Sequence, residues 1–118
     1  WIPWQEITPN FVAQPGTQFQ DILVPTVDTT RNEWIIRQLV EHGMPILVTG
    51  NTGTGKTVSI KKVLSGEIDQ SKYSPLFLNF SAQTSANQTQ DIIDGKLDKR
   101  KRGIFGPPIG KRMVVFVD

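Results

Sequence analysis

The sequence of 118 residues contains no cysteine and a single histidine, His42. The lack of cysteine excludes a disulfide framework, a cysteine-based zinc site and a thiol nucleophile, and it is typical of proteins from a reducing compartment. With one histidine we also expect neither a histidine-rich metal site nor a histidine-based catalytic triad. The chemistry of this chain must therefore come from other residue types.

Long apolar runs are also missing, since no stretch approaches the length that is needed to cross a bilayer. The first residues, Trp1-Ile2-Pro3-Trp4, lack both the basic and the apolar part of a secretory signal. Apolar residues make up 37% of the chain, which is in the range of globular proteins. We therefore expect a soluble intracellular protein without membrane contact.

Acidic residues are scarce in one segment, although the net charge of the whole chain is only +2. Residues 96–112 carry seven of the thirteen basic side chains and one acid, Asp98. Within them, the run Lys99-Arg100-Lys101-Arg102 has two interpretations: a solvated helix end, or a contact with a nucleic acid, an acidic partner or another subunit. Aromatic residues are too few there to favour nucleic acid, so we expect no direct nucleic-acid binding.

The most informative stretch is Gly50-Asn51-Thr52-Gly53-Thr54-Gly55-Lys56-Thr57, which matches the P-loop pattern G-x-x-x-x-G-K-[ST]. Glycines let such a loop turn its N–H groups toward a phosphate. Lys56 can reach the β- and γ-phosphates, and the Thr57 hydroxyl can ligate Mg²⁺. The alternative is a glycine-rich turn without a ligand. A dinucleotide-binding pattern fails, because Val58 stands where its third glycine is required.

The flanks of this motif favour the phosphate-binding interpretation. Pro45-Ile46-Leu47-Val48-Thr49 is predicted to be a buried strand, and Lys56 to Leu64 a helix that Gly66 ends. The start of that helix would face the phosphates with its positive dipole end.

Before the loop, a helix is predicted from about residue 31 to 42, with Thr30-Arg31-Asn32-Glu33 as its capping box. His42 at its end is either a residue compatible with the helix dipole or a catalytic group without an identifiable partner. Residues 1–20 are predicted to be an irregular lead-in whose aromatic side chains pack on a neighbouring part of a longer chain; these are Trp1, Trp4, Phe11 and Phe19.

After the loop, Pro75-Leu76-Phe77-Leu78-Asn79-Phe80 is predicted to be a strand, and Ser85-Ala86-Asn87-Gln88 a capping box that opens a helix. Gly103 to Gly110 is predicted to be a turn, either by itself or as the tip of a hairpin. The final run, Met113 to Val117, is a strand that ends in Asp118, which either helps to hold Mg²⁺ or is an ordinary strand-end acid.

These segments together resemble an AAA+ module of a dynein heavy chain. The stretches Asn79 to Asn87 and Gly106 to Asp118 resemble the axonemal type, and Val24-Pro25-Thr26-Val27-Asp28-Thr29 resembles the segment ahead of the third module of the ring. The resemblance implies adenine contacts from Val24, Pro25 and Thr26. It implies ATP or ADP with Mg²⁺ as ligands, with Thr57 and Asp118 on the metal and Lys56 and Asp118 as catalytic residues. The implied nucleotide-binding residues of the loop are Gly50, Asn51, Thr52, Gly53, Thr54, Gly55, Lys56, Thr57 and Val58.

The fold that the resemblance implies is an α/β P-loop NTPase of AAA+ type, a three-layer αβα parallel sheet in strand order 5-1-4-3-2. Only strands 1, 2 and 3 are in this chain, so we expect residues 21–118 to be the N-terminal part of an AAA+ large subdomain that ends at the Walker B strand. Strand 1 would then lack its family neighbour and expose apolar edges. The acid that activates water in the family is expected directly after Asp118.

Three functions are consistent with the sequence. The first is a Mg²⁺-dependent ATPase module of a motor that moves on microtubules, and the second is a regulatory module that binds nucleotide without significant turnover. The third is a basic interaction module that uses Lys96 to Arg112. The resemblance implies neighbouring AAA+ modules of the same heavy chain and other dynein chains as partners, with microtubules contacted through distant parts of the motor. It implies a location in the cytoplasm and cytoskeleton, in the axoneme of a cilium or flagellum.

Overall fold

A computed structural model describes residues 1–16, 18 and 22–118. The chain forms two compact units, Trp1–Val63 and Leu64–Asp118. In the first unit, α1 spans Trp4–Ile7, α2 spans Val27–Glu41 and α3 spans Lys56–Lys62. A π-helix, Val63–Glu67, follows α3 directly. Gly66 therefore lies within helical structure and does not end the helix as predicted.

Helix α2 begins earlier than the sequence predicted, because a different capping box starts it. The Thr26 hydroxyl accepts the N–H of Thr29 at 3.2 Å, and the Thr29 hydroxyl accepts the N–H of Thr26 at 2.8 Å. The predicted capping box at Thr30 to Glu33 is wrong. Since Thr26 and Thr29 already satisfy each other one turn earlier, Thr30 lies inside the helix, where its hydroxyl oxygen is buried without a hydrogen-bond partner among the described residues.

The end of α2 agrees with the prediction of a cap at His42. The backbone N–H of His42 donates to the carbonyl of Gln38, and its ring Nδ1 donates to the same oxygen at 2.7 Å. Gly43 follows with φ of 68°, a left-handed conformation that glycine adopts without strain. His42 therefore terminates a helix.

The lead-in is not wholly irregular, since its short helix α1 contacts α2. The rings of Trp4 and Trp34 lie edge to face, with their centroids 5.8 Å apart. Trp4 thus packs within its own unit, which differs from the predicted contact with a neighbouring part of a longer chain. Trp1 and Phe11 are exposed. Phe19 lies outside the described residues.

The second unit contains two small sheets. Strands β1, Tyr73–Leu78, and β4, Arg112–Val117, pair in parallel with Tyr73 opposite Arg112 and Leu78 opposite Val117. This is the neighbour relation that the AAA+ strand order predicts for strands 2 and 3. Between them the chain forms α4, Ala86–Asp94, and an antiparallel hairpin of β2, Asp98–Lys101, and β3, Ile104–Gly106. The predicted capping box of α4 is confirmed, since Ser85 and Gln88 bond reciprocally.

The predicted strand at residues 45–49 does not form in the described structure. The segment has no helix or strand, and Leu47 retains 89% of its side-chain exposure. A strand needs a partner for its backbone N–H and C=O groups, and no described segment pairs with this one. The sequence analysis expected this run to expose apolar edges if it lacked its neighbouring strand, and the apolar side chains of residues 46–48 are exposed in the structure.

The best-buried side chains lie where α3 passes into the π-helix and along β1. Val63 is fully buried, and Leu64 retains 2% exposure. The buried apolar residues are Ile36, Val40, Ile60, Val63, Leu64, Ile68, Tyr73, Leu76 and Leu78. No helix in the described part of the chain combines the length and apolar character of a membrane-spanning segment.

Candidate functional site

The loop between residues 50 and 55 has the backbone that its glycines predict. Gly53 and Gly55 have φ of 79° and 78°, so both adopt the left-handed region. Gly55 in this conformation is also the residue that precedes α3. A side chain at either position would be strained even where space is available. The glycines of the motif thus produce the sharp turn from the loop into the helix.

Lys56 folds back over this loop. Its ammonium donates hydrogen bonds to the carbonyl oxygens of Gly50 at 2.9 Å and Asn51 at 2.5 Å, and it lies 3.3 Å from the hydroxyl oxygen of Thr54. The Thr54 hydroxyl in turn donates to the Asn51 carbonyl at 2.9 Å. A positive charge is therefore fixed against the loop by its backbone.

The backbone N–H groups of the loop add partial positive charge beside the Lys56 ammonium. In the described structure, none of the backbone N–H groups of residues 52–55 donates to a protein acceptor. Thr57 and Val58 follow in the first turn of α3, with Thr57 half-buried and Val58 exposed. Backbone donors next to an ammonium form a surface that suits an anion with several oxygens, such as a phosphate chain.

The proposed base contacts lie in the same unit as the loop. Val24 is exposed, Pro25 is half-buried, and Thr26 caps the start of α2. The structure therefore places the segment of Val24, Pro25 and Thr26 directly ahead of α2. Its contact with adenine stays a prediction.

Asp118 belongs to the second unit. Its N–H donates to the Leu78 carbonyl at 2.9 Å and its carbonyl accepts the N–H of Phe80 at 2.8 Å, so its backbone continues the parallel ladder of β1 and β4. The side chain is exposed at the carboxyl end of β4. This is the strand-end position that the sequence predicted, and its role in holding metal stays a prediction.

A dense cluster of metal ligands is not part of this arrangement. Among the residues that the structure describes, no three His, Cys, Asp or Glu side chains are grouped as a metal site would require. Mg²⁺ in nucleotide sites is commonly held by one or two protein oxygens together with water and phosphate. A threonine hydroxyl and one carboxylate are chemically suited to that mode of binding.

The basic run does not end a helix, in contrast to the interpretation as a solvated helix end. Lys99, Arg100 and Lys101 lie in β2, which is exposed along its whole length, and Arg102 lies in the turn that follows. The Arg100 guanidinium donates to the carbonyl of Pro107, which lies just beyond β3. The strand forms because the chain turns back at residues 102–103 and pairs with β3.

Sequence reasoning missed an ion pair between α2 and α3. Glu33 retains only 8% exposure, and its Oε2 lies 2.5 Å from Nζ of Lys62. The sequence analysis placed Glu33 in a capping box and Lys62 within the predicted helix from Lys56 to Leu64, without a contact between them. The spacing of Glu33, Ile36 and Val40 could have indicated otherwise, because positions i, i+3 and i+7 share one helical face and the other two are apolar.

Comparison with known proteins gives a consistent family. Residues 11–118 match the family model described as the P-loop containing dynein motor region. Over its full length the chain is 47% identical to dynein axonemal heavy chain 12 of Rattus norvegicus. It is 44% identical to dynein axonemal heavy chain 1 and 47% identical to dynein axonemal heavy chain 3, both of Mus musculus. The chain covers 4%, 3% and 3% of these relatives' own lengths.

Proposed function

The chain belongs to the family of P-loop containing dynein motor regions, and from this membership we propose that it is an ATP-binding AAA+ module of a dynein motor heavy chain. The observation that carries the proposal is the position of Lys56, whose ammonium lies 2.9 Å from the Gly50 carbonyl. The backbone N–H groups of residues 52–55 next to it have no acceptor among the described residues. This arrangement supports the binding of the phosphate chain of ATP or ADP.

Each residue of the site has a role in this proposal. The residues Gly50 to Gly55 offer backbone N–H groups to the phosphates, and the Lys56 ammonium exchanges loop carbonyls for β- and γ-phosphate oxygens. Thr57 and Asp118 are the residues that would hold Mg²⁺, which when bound neutralises phosphate charge. Val24, Pro25 and Thr26 would contact the adenine, as the family resemblance implies.

The module either hydrolyses ATP or regulates the motor by binding it. In the first case Lys56 stabilises the charge that develops on the phosphate, and Asp118 supports the metal. In the second case the same contacts bind the nucleotide, and binding alone sets the conformation of the ring without significant ATP hydrolysis by this module. The stretch from Val24 to Thr29 resembles the segment ahead of the third module of the ring. This resemblance favours the regulatory role.

The wider setting follows from the relatives, which are axonemal dynein heavy chains. We infer that neighbouring AAA+ modules of the same heavy chain and other dynein chains are its partners. Microtubules are contacted through distant parts of the motor, and the protein acts in the cytoskeleton of an axoneme, in ATP-driven movement.

A binding measurement tests the site. Lys56→Ala should weaken the affinity for MgATP about 10- to 100-fold, because a hydrogen bond to a charged group contributes about 1.5–3 kcal/mol. Lys61→Ala is the matched control, since Lys61 is an exposed lysine of the same helix. Isothermal titration calorimetry with both variants gives the comparison, and equal affinities for the unaltered protein and Lys56→Ala would refute the assignment.

Single-turnover hydrolysis separates the two roles. If the module is an ATPase, Asp118→Asn should slow turnover while the affinity for ATP changes little, because binding depends mainly on the loop. The measurement uses the full AAA+ module of the heavy chain, which includes the acid expected directly after Asp118. Clear nucleotide binding without any turnover by that module would reject the catalytic role and leave the regulatory one.

A further inference from the structure

The ion pair of Glu33 and Lys62 joins the two helices of the first unit that begin at the two halves of the proposed nucleotide site. Helix α2 starts directly after Val24, Pro25 and Thr26, and α3 starts directly after the phosphate-binding loop. Glu33 and Lys62 are 29 positions apart in the chain, and their charged atoms are 2.5 Å apart. This ion pair therefore connects α2, which follows the proposed base contacts, to α3, which follows the phosphate-binding loop.

Both members of the pair lie about two helical turns beyond the helix starts that they connect, and Lys62 is the last residue of α3. Glu33 lies seven residues after Thr26, which is about 10 Å along an α-helix, and Lys62 lies six residues after Lys56, or about 9 Å. Regular helices of this length are stiff. A change in the contact between Glu33 and Lys62 therefore shifts Val24 to Thr26 relative to the loop.

Burial makes this contact more selective than apolar packing alone. The Glu33 side chain retains 11% exposure and that of Lys62 40%. The apolar residues Ile36, Val40 and Ile60 are also buried on these helices, but the hydrophobic effect is non-directional and specifies no particular pair of atoms. A buried carboxylate does not tolerate the loss of its partner, because an uncompensated charge in the interior is strongly unfavourable. The ion pair thus favours one arrangement of α2 against α3.

We propose that Glu33 and Lys62 are positioning residues that hold the segment Val24 to Thr26 at the distance from the P-loop that an adenine nucleotide requires. This proposal rests on the proposed function. In this proposal the pair supports the part of the nucleotide affinity that comes from contacts with the base, because it positions Val24 to Thr26. The loop and Lys56 provide the part that comes from the phosphates.

The test compares two probes, MgATP and magnesium tripolyphosphate, which carries the phosphates without adenosine. The protein and its variants Glu33→Gln and Lys62→Met are titrated with each probe by calorimetry. We expect the ratio of the ATP affinity to the tripolyphosphate affinity to fall at least about tenfold in both variants, while the affinity for tripolyphosphate changes less than about twofold. Lys61→Met is the matched control and should keep the ratio of the unaltered protein.

A swapped variant, Glu33→Lys with Lys62→Glu, addresses loss of folding in the single variants. Circular dichroism identifies the folded proteins, and partial recovery of the ratio in the folded swap supports the proposal. The proposal is overturned if the ratio is unchanged in folded single variants, if both affinities fall together, or if the folded swap recovers nothing. Failure of the unaltered protein to bind either probe would overturn the nucleotide site itself, which is a different result.

Discussion

The ammonium of Lys56 and the carboxylate of Glu33 show how differently two charged residues of one unit are used. Lys56 is held by backbone carbonyls of an exposed loop, so it can exchange these partners for phosphate oxygens without leaving a buried group unsatisfied. Glu33 is buried and bonds the Lys62 side chain of another helix, so loss of that partner would leave a buried charge uncompensated. The first residue suits ligand binding and the second suits positioning.

Asp69 provides a pH-dependent contribution to stability. Hydrogen bonds from the Ser71 hydroxyl at 2.5 Å and the Ser71 N–H at 2.9 Å, with Lys72 nearby, hold the pKa of the Asp69 carboxyl below its ordinary value of 3.8. The folded state therefore favours the charged carboxylate. Its contribution is complete above the ordinary pKa and is lost as the pH falls through the lower value of the folded protein.

The measurement is the free energy of unfolding of the protein and of Asp69→Asn as a function of pH. The difference between the two should be constant at neutral pH and shrink in the acid range. Ser71→Ala should raise the pKa of Asp69, as an NMR titration of the carboxyl would detect. An unchanged titration in Ser71→Ala would contradict the assigned cause.

At the scale of elements, helix α2 begins at a different residue from the one that its sequence predicted. Both Thr26 and Thr30 are followed by a residue that can complete a capping box, and the sequence-based prediction chose Thr30. The structure uses Thr26 as the cap and buries the Thr30 hydroxyl. The choice matters because it moves the helix start next to the proposed base contacts.

A pair of substitutions tests this assignment. Thr26→Ala should lower the free energy of unfolding by about 0.5–2 kcal/mol, because it removes a helix cap. Thr30→Val should be close to neutral or slightly stabilising, because it replaces a buried hydroxyl that has no hydrogen-bond partner in the described part of the chain. Urea unfolding of both variants gives the comparison, and a larger loss in Thr30→Val would show that the sequence-based choice of cap was correct.

The hairpin of β2 and β3 is a second element that local patterns did not predict fully. A turn was expected at residues 103–110, but the four basic residues before it were assigned to a helix end. Their placement in an exposed strand depends on pairing with β3, in which Lys99 lies opposite Phe105 and Lys101 opposite Ile104. Such pairing depends on the residues of both strands and on the turn between them, so the helix propensity of the basic run alone does not determine it.

At the scale of the whole molecule, apolar segments differ in whether they find partners. The strands β1 and β4 are paired along six residues each, while the apolar run at 45–49 has no partner in the described structure. Amide exchange should separate them. Amides within the β1 and β4 ladder should exchange slowly, and those of residues 46–49 should exchange at rates close to those of an unstructured peptide.

Hydrogen exchange read by mass spectrometry on the 118-residue chain makes this comparison within one sample, with the paired strands as the internal reference. Protection of residues 45–49 equal to that of β1 would show that this segment has a hydrogen-bonding partner in solution. The paired strands should stay protected in either case.

The sequence by itself determined the features that depend on neighbouring residues. The P-loop backbone follows from glycines whose conformations other residues avoid, and the caps at Ser85 and His42 follow from side chains that reach their own helix ends. Family resemblance on these stretches correctly indicated an α/β P-loop motor region of the dynein type. Local chemistry needed no tertiary information there.

Only the tertiary structure decided the features that join distant residues. It paired β1 with β4, gave residues 45–49 no strand partner among the described residues, and turned Glu33 inward to meet Lys62. The physical reason is that a strand, a hairpin or a buried charge is stable only with a partner, and one residue's preferences do not specify which distant partner is present.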